Sequence, residues 1–400
     1  MDNLNFWKSR ILISYLVFYS FVYIGRFSHW VAGPEIQQEF NFTHIELGIL
    51  NACLLWGFAA GDIFHGRLAE TYGMRIWILI WVLISVCLNW ITSFGNSLMS
   101  IAIPWGLNGF ANAAAWAPGV SILSQWWPKT QRGRVFGLVG VSSGVSMLLM
   151  WGITGWTAGE FGWRAAFRYP PILMGIAVIC FFFLVRDRPN NNTSTKNQCK
   201  GTRPLNHFKI YKGILFNWHF IAISNIKGLE NVVRYGLPTW VPIYYFQESG
   251  LSFESITILT IAMPIGFLSG PLLSGWISDK LLNARRKPMI VLSAIISASA
   301  LFGLAIISPT NVILGAFFLV LGTFASSLSL SHVGVIDMFK SKYAGTSSGL
   351  FDAHGYIYAG AQAIIFSIIL DVTNAPWAYV FLAMAFVRIL SALILYKVKI

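Results

Sequence analysis

Twelve stretches of this chain, each about 20 residues long, are almost bare of charge: roughly 11–31, 46–65, 76–93, 98–123, 135–157, 169–185, 214–245, 255–277, 289–308, 312–333, 344–369 and 377–396. A helix rises 1.5 Å per residue, so about 20 apolar residues cross the roughly 30 Å of hydrocarbon in a bilayer. Backbone N–H and C=O groups find no water there and must pair within their own segment, which makes these stretches helices and not strands. Only 11% of the 400 residues are charged, against about a quarter in a soluble protein. The reading is an all-α polytopic membrane protein with twelve transmembrane helices in contact with the lipid bilayer. The first stretch is too long for the apolar core of a signal peptide and lacks a small-residue cleavage site, so a retained helix is expected.

A net charge of +13 raises nucleic acid as a partner, but the distribution of the charge argues against it. Lys8 and Arg10 precede the first stretch, Arg67 and Arg75 follow the second, and Lys129, Arg132 and Arg134 follow the fourth. Seven more follow the sixth, four follow the eighth, and Lys340, Lys342, Lys397 and Lys399 complete the set, so 22 of the 28 basic residues fall on one side. The opposite loops hold Glu35, Glu39, Glu160, Glu248 and Asp371, with Arg164 and Arg168 as their cations. Basic loops stay in the cytoplasm, which puts both termini there and points to a bacterial inner (plasma) membrane. The four cysteines, Cys53, Cys87, Cys180 and Cys199, have no metal-ligand spacing, and neither disulfides nor a metal is expected.

Residues 187–212 are polar, basic and poor in apolar side chains, as in a flexible cytoplasmic linker. They divide the chain into two sets of six helices, 1–186 and 213–400. The sets repeat. Gly66-Arg-Leu-Ala-Glu70 follows the second stretch and Gly275-Trp-Ile-Ser-Asp279 the eighth, each running on into basic residues, Arg75 in one and Arg285 and Arg286 in the other. Glu70 and Asp279 are 209 positions apart; Arg26 and Arg234, lone arginines of the first and seventh stretches, are 208 apart. A charge in the hydrocarbon costs on the order of 3 kcal/mol and is kept for function or paired internally. Two guanidinium groups at equivalent positions converge where the halves meet, near the midplane, the place where repeat transporters bind substrate. Guanidinium grips phosphate or carboxylate with two parallel hydrogen bonds, so an anion clamp of Arg26 and Arg234 is expected. The alternative is a pair of structural arginines satisfied by Asp62, Glu230 or backbone carbonyls.

These features resemble the major facilitator superfamily and, within it, the organophosphate:phosphate antiporter family. The loops at Gly66–Arg75 and Gly275–Arg286 resemble the superfamily's cytoplasmic motif. Closer to the family are Arg234-Tyr-Gly-Leu-Pro-Thr-Trp-Val-Pro-Ile-Tyr-Tyr245, the strings Trp116–Trp127, Gln131–Gly137 and Gly162–Pro170, and Ala344–Gly360. The resemblance covers nearly the whole chain in order. It implies two pseudo-symmetric six-helix bundles, and exchange of a phosphate ester, such as a sugar phosphate or glycerol phosphate, for inorganic phosphate by alternating access. It assigns the phosphoryl group to Arg26 and Arg234, with Tyr19, Tyr23 and Tyr356 beside them. Three departures stand out: Phe27, Asp62 and Ser143 occupy positions where the family often has lysine, lysine and histidine. The loss of positive charge points to a monoanion or to a substrate that also carries a cationic group.

Other ionisable groups lie in the stretches. Tyr19 and Tyr23, seven and three residues before Arg26, share its face if the helix is continuous, and Trp30 at i+4 is the expected wall of the site. Asp62 is a candidate for proton coupling or for balancing Arg26 or Lys227, and His65, three residues on, is read as an interfacial residue. Glu230 shares a stripe with Lys227 and Arg234 and is expected to neutralise Arg234 in the empty protein. Asp352 and His354 are further candidates for proton coupling or charge balance, at most one of them facing the cavity. Gly66, Glu70, Arg75, Gly275, Asp279, Arg285 and Arg286 are expected to latch the halves on the cytoplasmic side. No nucleotide-binding loop, nucleophile–base pair or cofactor motif is present, so the chain is read as a carrier and not an enzyme, without cofactors, a monomer driven by a phosphate or proton gradient. Two alternatives remain: proton symport of a carboxylate such as a sugar acid, and a non-transporting membrane sensor of a phosphorylated sugar.

Overall fold

The computed structural model describes residues 2–188, 213–281, 287–328 and 344–396. Among them all regular structure is helical. The order is α1 (Asp2–Val22), a 3-10 turn (Tyr23–Gly25), α2 (Ser28–Phe40), α3 (His44–Tyr72), α4 (Met74–Thr92), α5 (Leu98–Asn112), a second 3-10 turn (Ala113–Ala115), α6 (Ala117–Trp126) and α7 (Lys129–Leu149). A stretch of π-helix (Met150–Thr154), α8 (Gly155–Phe161), α9 (Trp163–Arg168) and α10 (Pro170–Leu184) follow. The rest comprises α11 (Trp218–Glu248), α12 (Phe253–Thr260), α13 (Ala262–Leu281), α14 (Lys287–Ile306), α15 (Val312–Ser327), α16 (Ala344–Thr373) and α17 (Trp377–Tyr396). Eight described segments are long and apolar enough to cross a membrane, and Ser255–Pro271 and Val312–Ser327 are shorter apolar helices. Five of the expected single helices are interrupted: the run 11–31 by the 3-10 turn before Arg26, 98–123 by the turn at Ala113–Ala115, 135–157 by the π-helix, 214–245 at Phe216–Asn217 and 255–277 at Ile261.

Helix ends follow local chemistry. Thr43 and Glu46 form a reciprocal capping box that starts α3, and Ser97 and Ser100 form another that starts α5; each satisfies backbone donors that helix geometry leaves open. Asn41, in a left-handed conformation (φ 51°), closes α2.

Small residues let the helices approach. A Cβ at Gly57 would collide with the Gly106 carbonyl, and one at Gly61 would lie 2.6 Å from the Phe110 carbonyl, which seats α3 on α5. In the second half Gly266 abuts Thr323, and a Cβ at Gly270 would lie 2.7 Å from that of Ser327, which seats α13 on α15. Gly57 and Gly266, like Gly61 and Gly270, are 209 positions apart, the offset already seen for Glu70 and Asp279. Gly57→Val is expected to overpack this seam at a cost of about 1–3 kcal/mol, read as a lower melting temperature in detergent.

Helices from the two halves also meet. α3 runs antiparallel to α16, with Gly48 against Ala363 and Ser367, Phe58 against Tyr356 and Asp62 against Gly349. α7 meets α13 where Gly144 lies on Leu268, and α2 packs on α11. At the end opposite the termini, polar contacts fasten the halves. His44 Nδ1 lies 2.5 Å from Asp371 Oδ1, and the Ile45 amide donates to Asp371 Oδ2 at 2.7 Å. Gln247 joins His44 (3.1 Å) and Gln37 (3.1 Å), and Asn51 donates to Thr239 at 3.0 Å.

Arg75 packs within its own half. Its amide donates to Asp187 Oδ1 (2.9 Å) and its guanidinium to the Val185 carbonyl (2.9 Å). The side chains of Gly66, Glu70, Gly275 and Asp279, and the whole of Arg285 and Arg286, lie outside the described residues, so the expected latch on that side has no further geometry here. Cys53, Cys87 and Cys180 are unpaired; Cys199 is outside the described residues.

Candidate anion site

Arg26 sits where the first long helix is interrupted. The Arg26 and Phe27 amides both donate to the Tyr23 carbonyl, at 3.1 and 3.0 Å, so the chain tightens and the Gly25 carbonyl is left outside the helical ladder. Asn89 and Asn108 fill that vacancy, each donating its side-chain amide to Gly25 O at 2.9 Å. A freed carbonyl at membrane depth requires such partners. The network then closes on the arginine: Asn108 Oδ1 accepts from Ser85 (2.6 Å), Ser85 Oγ accepts from Asn112 (3.2 Å), and Asn112 Oδ1 accepts from Arg26 Nε at 2.8 Å. The guanidinium carbon stands over the Phe58 ring at 4.1 Å and near Tyr23 at 4.9 Å, a desolvated cation–π arrangement. Arg26 is 2% exposed, and its Nη2 is buried without a hydrogen-bond partner.

Tyr23 was expected to share a helical face with Arg26, and the two do meet, but through the 3-10 turn and not through helical phase. Tyr19 packs with Tyr15 (5.7 Å) and Trp116 (5.4 Å) and meets the Tyr23 ring edge-on at 6.2 Å, one ring removed from Arg26. Trp30 lies flat on Phe27, with ring centroids 3.9 Å apart, and its indole N–H donates to Asn51 at 3.3 Å.

Between the halves is a cavity of about 90 Å³, room for several waters. Tyr23, Phe27 and Trp30 line it from the first helix, Gly140, Ser143, Gly144 and Met147 from α7, Arg234 and Tyr235 from α11, and Phe267 and Pro271 from α13. The Arg234 guanidinium has the Phe267 ring 5.3 Å away and makes no hydrogen bond or ion pair among the described residues. Tyr235 bridges onward: its hydroxyl donates to Tyr356 at 3.0 Å, and Tyr356 packs on Phe58 at 4.6 Å, the ring that carries Arg26. Arg234 therefore faces the cavity directly, while Arg26 lies behind the Tyr23–Phe27 wall and reaches the same cluster through Phe58, Tyr356 and Tyr235. Asp62 stands one turn beyond Phe58, buried, with neither carboxylate oxygen hydrogen-bonded; the ion pairs considered for it with Arg26 or Lys227 do not form.

No ion pair joins Glu230 to Arg234 among the described residues, though its charge acts on that guanidinium. Its carboxylate instead approaches Arg388 of α17, Oε1 to Nη1 at 3.9 Å, and Arg388 Nη2 donates to Ser293 Oγ at 2.6 Å. Arg388 is fully buried, with Nε and Nη1 lacking hydrogen-bond partners. The sequence reading passed over this arginine, although a lone charge in the last apolar run was the signal for it. The asparagine–serine network around Arg26 was missed as well. His65 is buried, its Nε2 at 2.9 Å from the Phe110 carbonyl and its Nδ1 accepting from Trp77 at 3.0 Å, a fully engaged ring. His354 lies beside Tyr358, 5.3 Å between rings, with its Nε2 unpartnered. Asp352 lies one turn from Tyr356 on α16.

A membrane-embedded helical bundle with a charged cavity between its two halves defines a solute carrier. Residues 15–363 match the Major Facilitator Superfamily model, and the chain belongs to that family, an integral multi-pass membrane protein and not an enzyme. It is similar to a probable hexose phosphate transport protein of Chlamydia pneumoniae, 24% identical over 89% of this chain and 84% of that protein. It is also similar to the membrane sensor protein UhpC of Salmonella typhimurium, 23% identical over 98% of this chain and 91% of that one. Among solved structures it resembles a bacterial homolog of the human lysosomal transporter Spinster, inward-facing and unoccupied, with a TM-score of 0.78 at 14% identity over 98% of this chain and 96% of that one; this likeness concerns the fold.

Proposed function

We propose that the protein exchanges a phosphate monoester for inorganic phosphate across a bacterial inner membrane, by rocking of two six-helix bundles, 1–186 and 213–400, about a central anion site. The observation that carries this is the Arg234 guanidinium, which lines a cavity between the halves with no hydrogen bond or ion pair among the described residues. A desolvated guanidinium is matched by the planar pairs of oxygens on phosphate. The hexose phosphate relative supports that choice of anion. In this reading the phosphoryl group sits against Arg234 and draws on Arg26 through a shift of the Tyr23–Phe27 wall, with Tyr235 and Tyr356 offering hydroxyls and Trp30 closing one side. Residues 187–212 link the bundles, both termini are cytoplasmic, and the protein works as a monomer.

The test is transport into vesicles that hold the purified protein. Loading them with inorganic phosphate should accelerate uptake of labelled glucose 6-phosphate or glycerol 3-phosphate. If uptake ignores internal phosphate and follows an imposed pH step, proton symport of an organic anion replaces exchange. The sensor relative spans 98% of this chain and supports a second reading, a receptor for the same esters: tight binding with no measurable flux would establish it in place of transport.

A further inference from the structure

Asp62 and Arg26 form an unusual pair. Asp62 is 4% exposed and both its oxygens lack hydrogen-bond partners; Arg26 is 2% exposed with a free Nη2. A buried ionic group left so is unfavourable unless something pairs with it or neutralises it. The two stand on either side of one aromatic contact. Phe58 carries the guanidinium at 4.1 Å and touches Tyr356 at 4.6 Å, while Asp62 follows Phe58 by one turn of the same helix. Opposite in sign, the two groups form no ion pair with each other among the described residues.

The Arg26 charge acts on this carboxylate, but no hydrogen bond or ion pair joins the two among the described residues. The antiparallel register of α3 and α16 sets Asp352 opposite Asp62, one turn from Tyr356, but Asp352 is an acid and has a partner of its own. Lys227 lies along α16, its stem beside Gly355 and its ammonium 6.0 Å from the Phe351 ring. What remains is a buried acceptor and a buried donor of opposite charge around one aromatic pair, an arrangement complementary to a ligand that bears both signs.

We infer that Asp62 receives an ammonium group carried by the substrate, so that the phosphate ester handled at this site is amino-substituted and zwitterionic. The inference rests on the phosphate-ester reading of the preceding subsection. The ammonium donates charge-assisted hydrogen bonds to Asp62 while the phosphoryl group engages the arginines; an ester without an amino group leaves the carboxylate buried and unpaired.

Two matched pairs of probes test it on the full-length protein in vesicles: glucosamine 6-phosphate against glucose 6-phosphate, and phosphoethanolamine against glycerol 3-phosphate. The amino member of each pair should bind about tenfold tighter or more. Asp62→Asn should abolish that preference, and Asp62→Glu should restore part of it. Equal affinities in the unaltered protein overturn the inference without help from any variant, and so does a preference that Asp62→Asn leaves intact. Equal binding that strengthens as the pH falls assigns a proton to Asp62 and also overturns it. If none of the four esters binds, the phosphate-ester reading itself fails and this inference falls with it.

Discussion

Arg234→Lys is expected to weaken binding of a phosphate monoester by about 100-fold or more, with the protein still folded. Each charge-assisted hydrogen bond contributes about 1.5–3 kcal/mol, and lysine replaces a planar fork by a single point charge. Folding should survive because Arg234 makes no hydrogen bond or ion pair among the described residues that the substitution could break. Arg26→Lys should cause a similar loss of affinity with a larger effect on the empty protein. Arg26 Nε donates to Asn112 at 2.8 Å and the guanidinium covers Phe58, a combination that an ammonium cannot reproduce. Binding is read by calorimetry and folding by the melting temperature without ligand. An affinity within about threefold of the unaltered protein, for either variant, would remove that arginine from the site.

The second large effect is on stability. Arg388 and Glu230 are both buried, and Arg388 holds Ser293 as well. Removing one member of a buried ion pair leaves the other uncompensated, which costs about 3–5 kcal/mol, whereas replacing both by neutral groups of similar size is close to neutral. Glu230→Gln, which leaves the buried Arg388 charge uncompensated, should therefore lower the melting temperature strongly, and Glu230→Gln with Arg388→Met should recover most of it. If the single variant melts like the parent protein, the pair has no such role.

The apolar runs and basic loops made the helical membrane architecture legible, because hydrocarbon thickness and backbone pairing leave few alternatives. The repeat was legible too, through Arg26 and Arg234 and through Glu70 and Asp279. The breaks in the helices were not. Tyr23–Gly25 and Ala113–Ala115 are apolar or small and fit a continuous helix by composition; what bends the chain at Gly25 is a pair of distant asparagines, Asn89 and Asn108, that hold its carbonyl. Partner choice was equally hidden. Spacing on α11 put Glu230 beside Arg234, but tertiary packing brought in Arg388 from more than 150 residues away. Local periodicity carries no information about such a meeting.

The pseudo-symmetry is imperfect in one respect that matters for motion. Arg26 is mounted on a joint between two helical pieces, α1 and α2, whereas Arg234 is mounted on one rod of 31 residues. A small swivel of the three-residue joint re-aims the first guanidinium without dragging its bundle. The second can be re-aimed only by tilting the rod, and with it everything the rod supports. In the proposed carrier, adjusting to the cargo would fall to one half and rocking the molecule to the other.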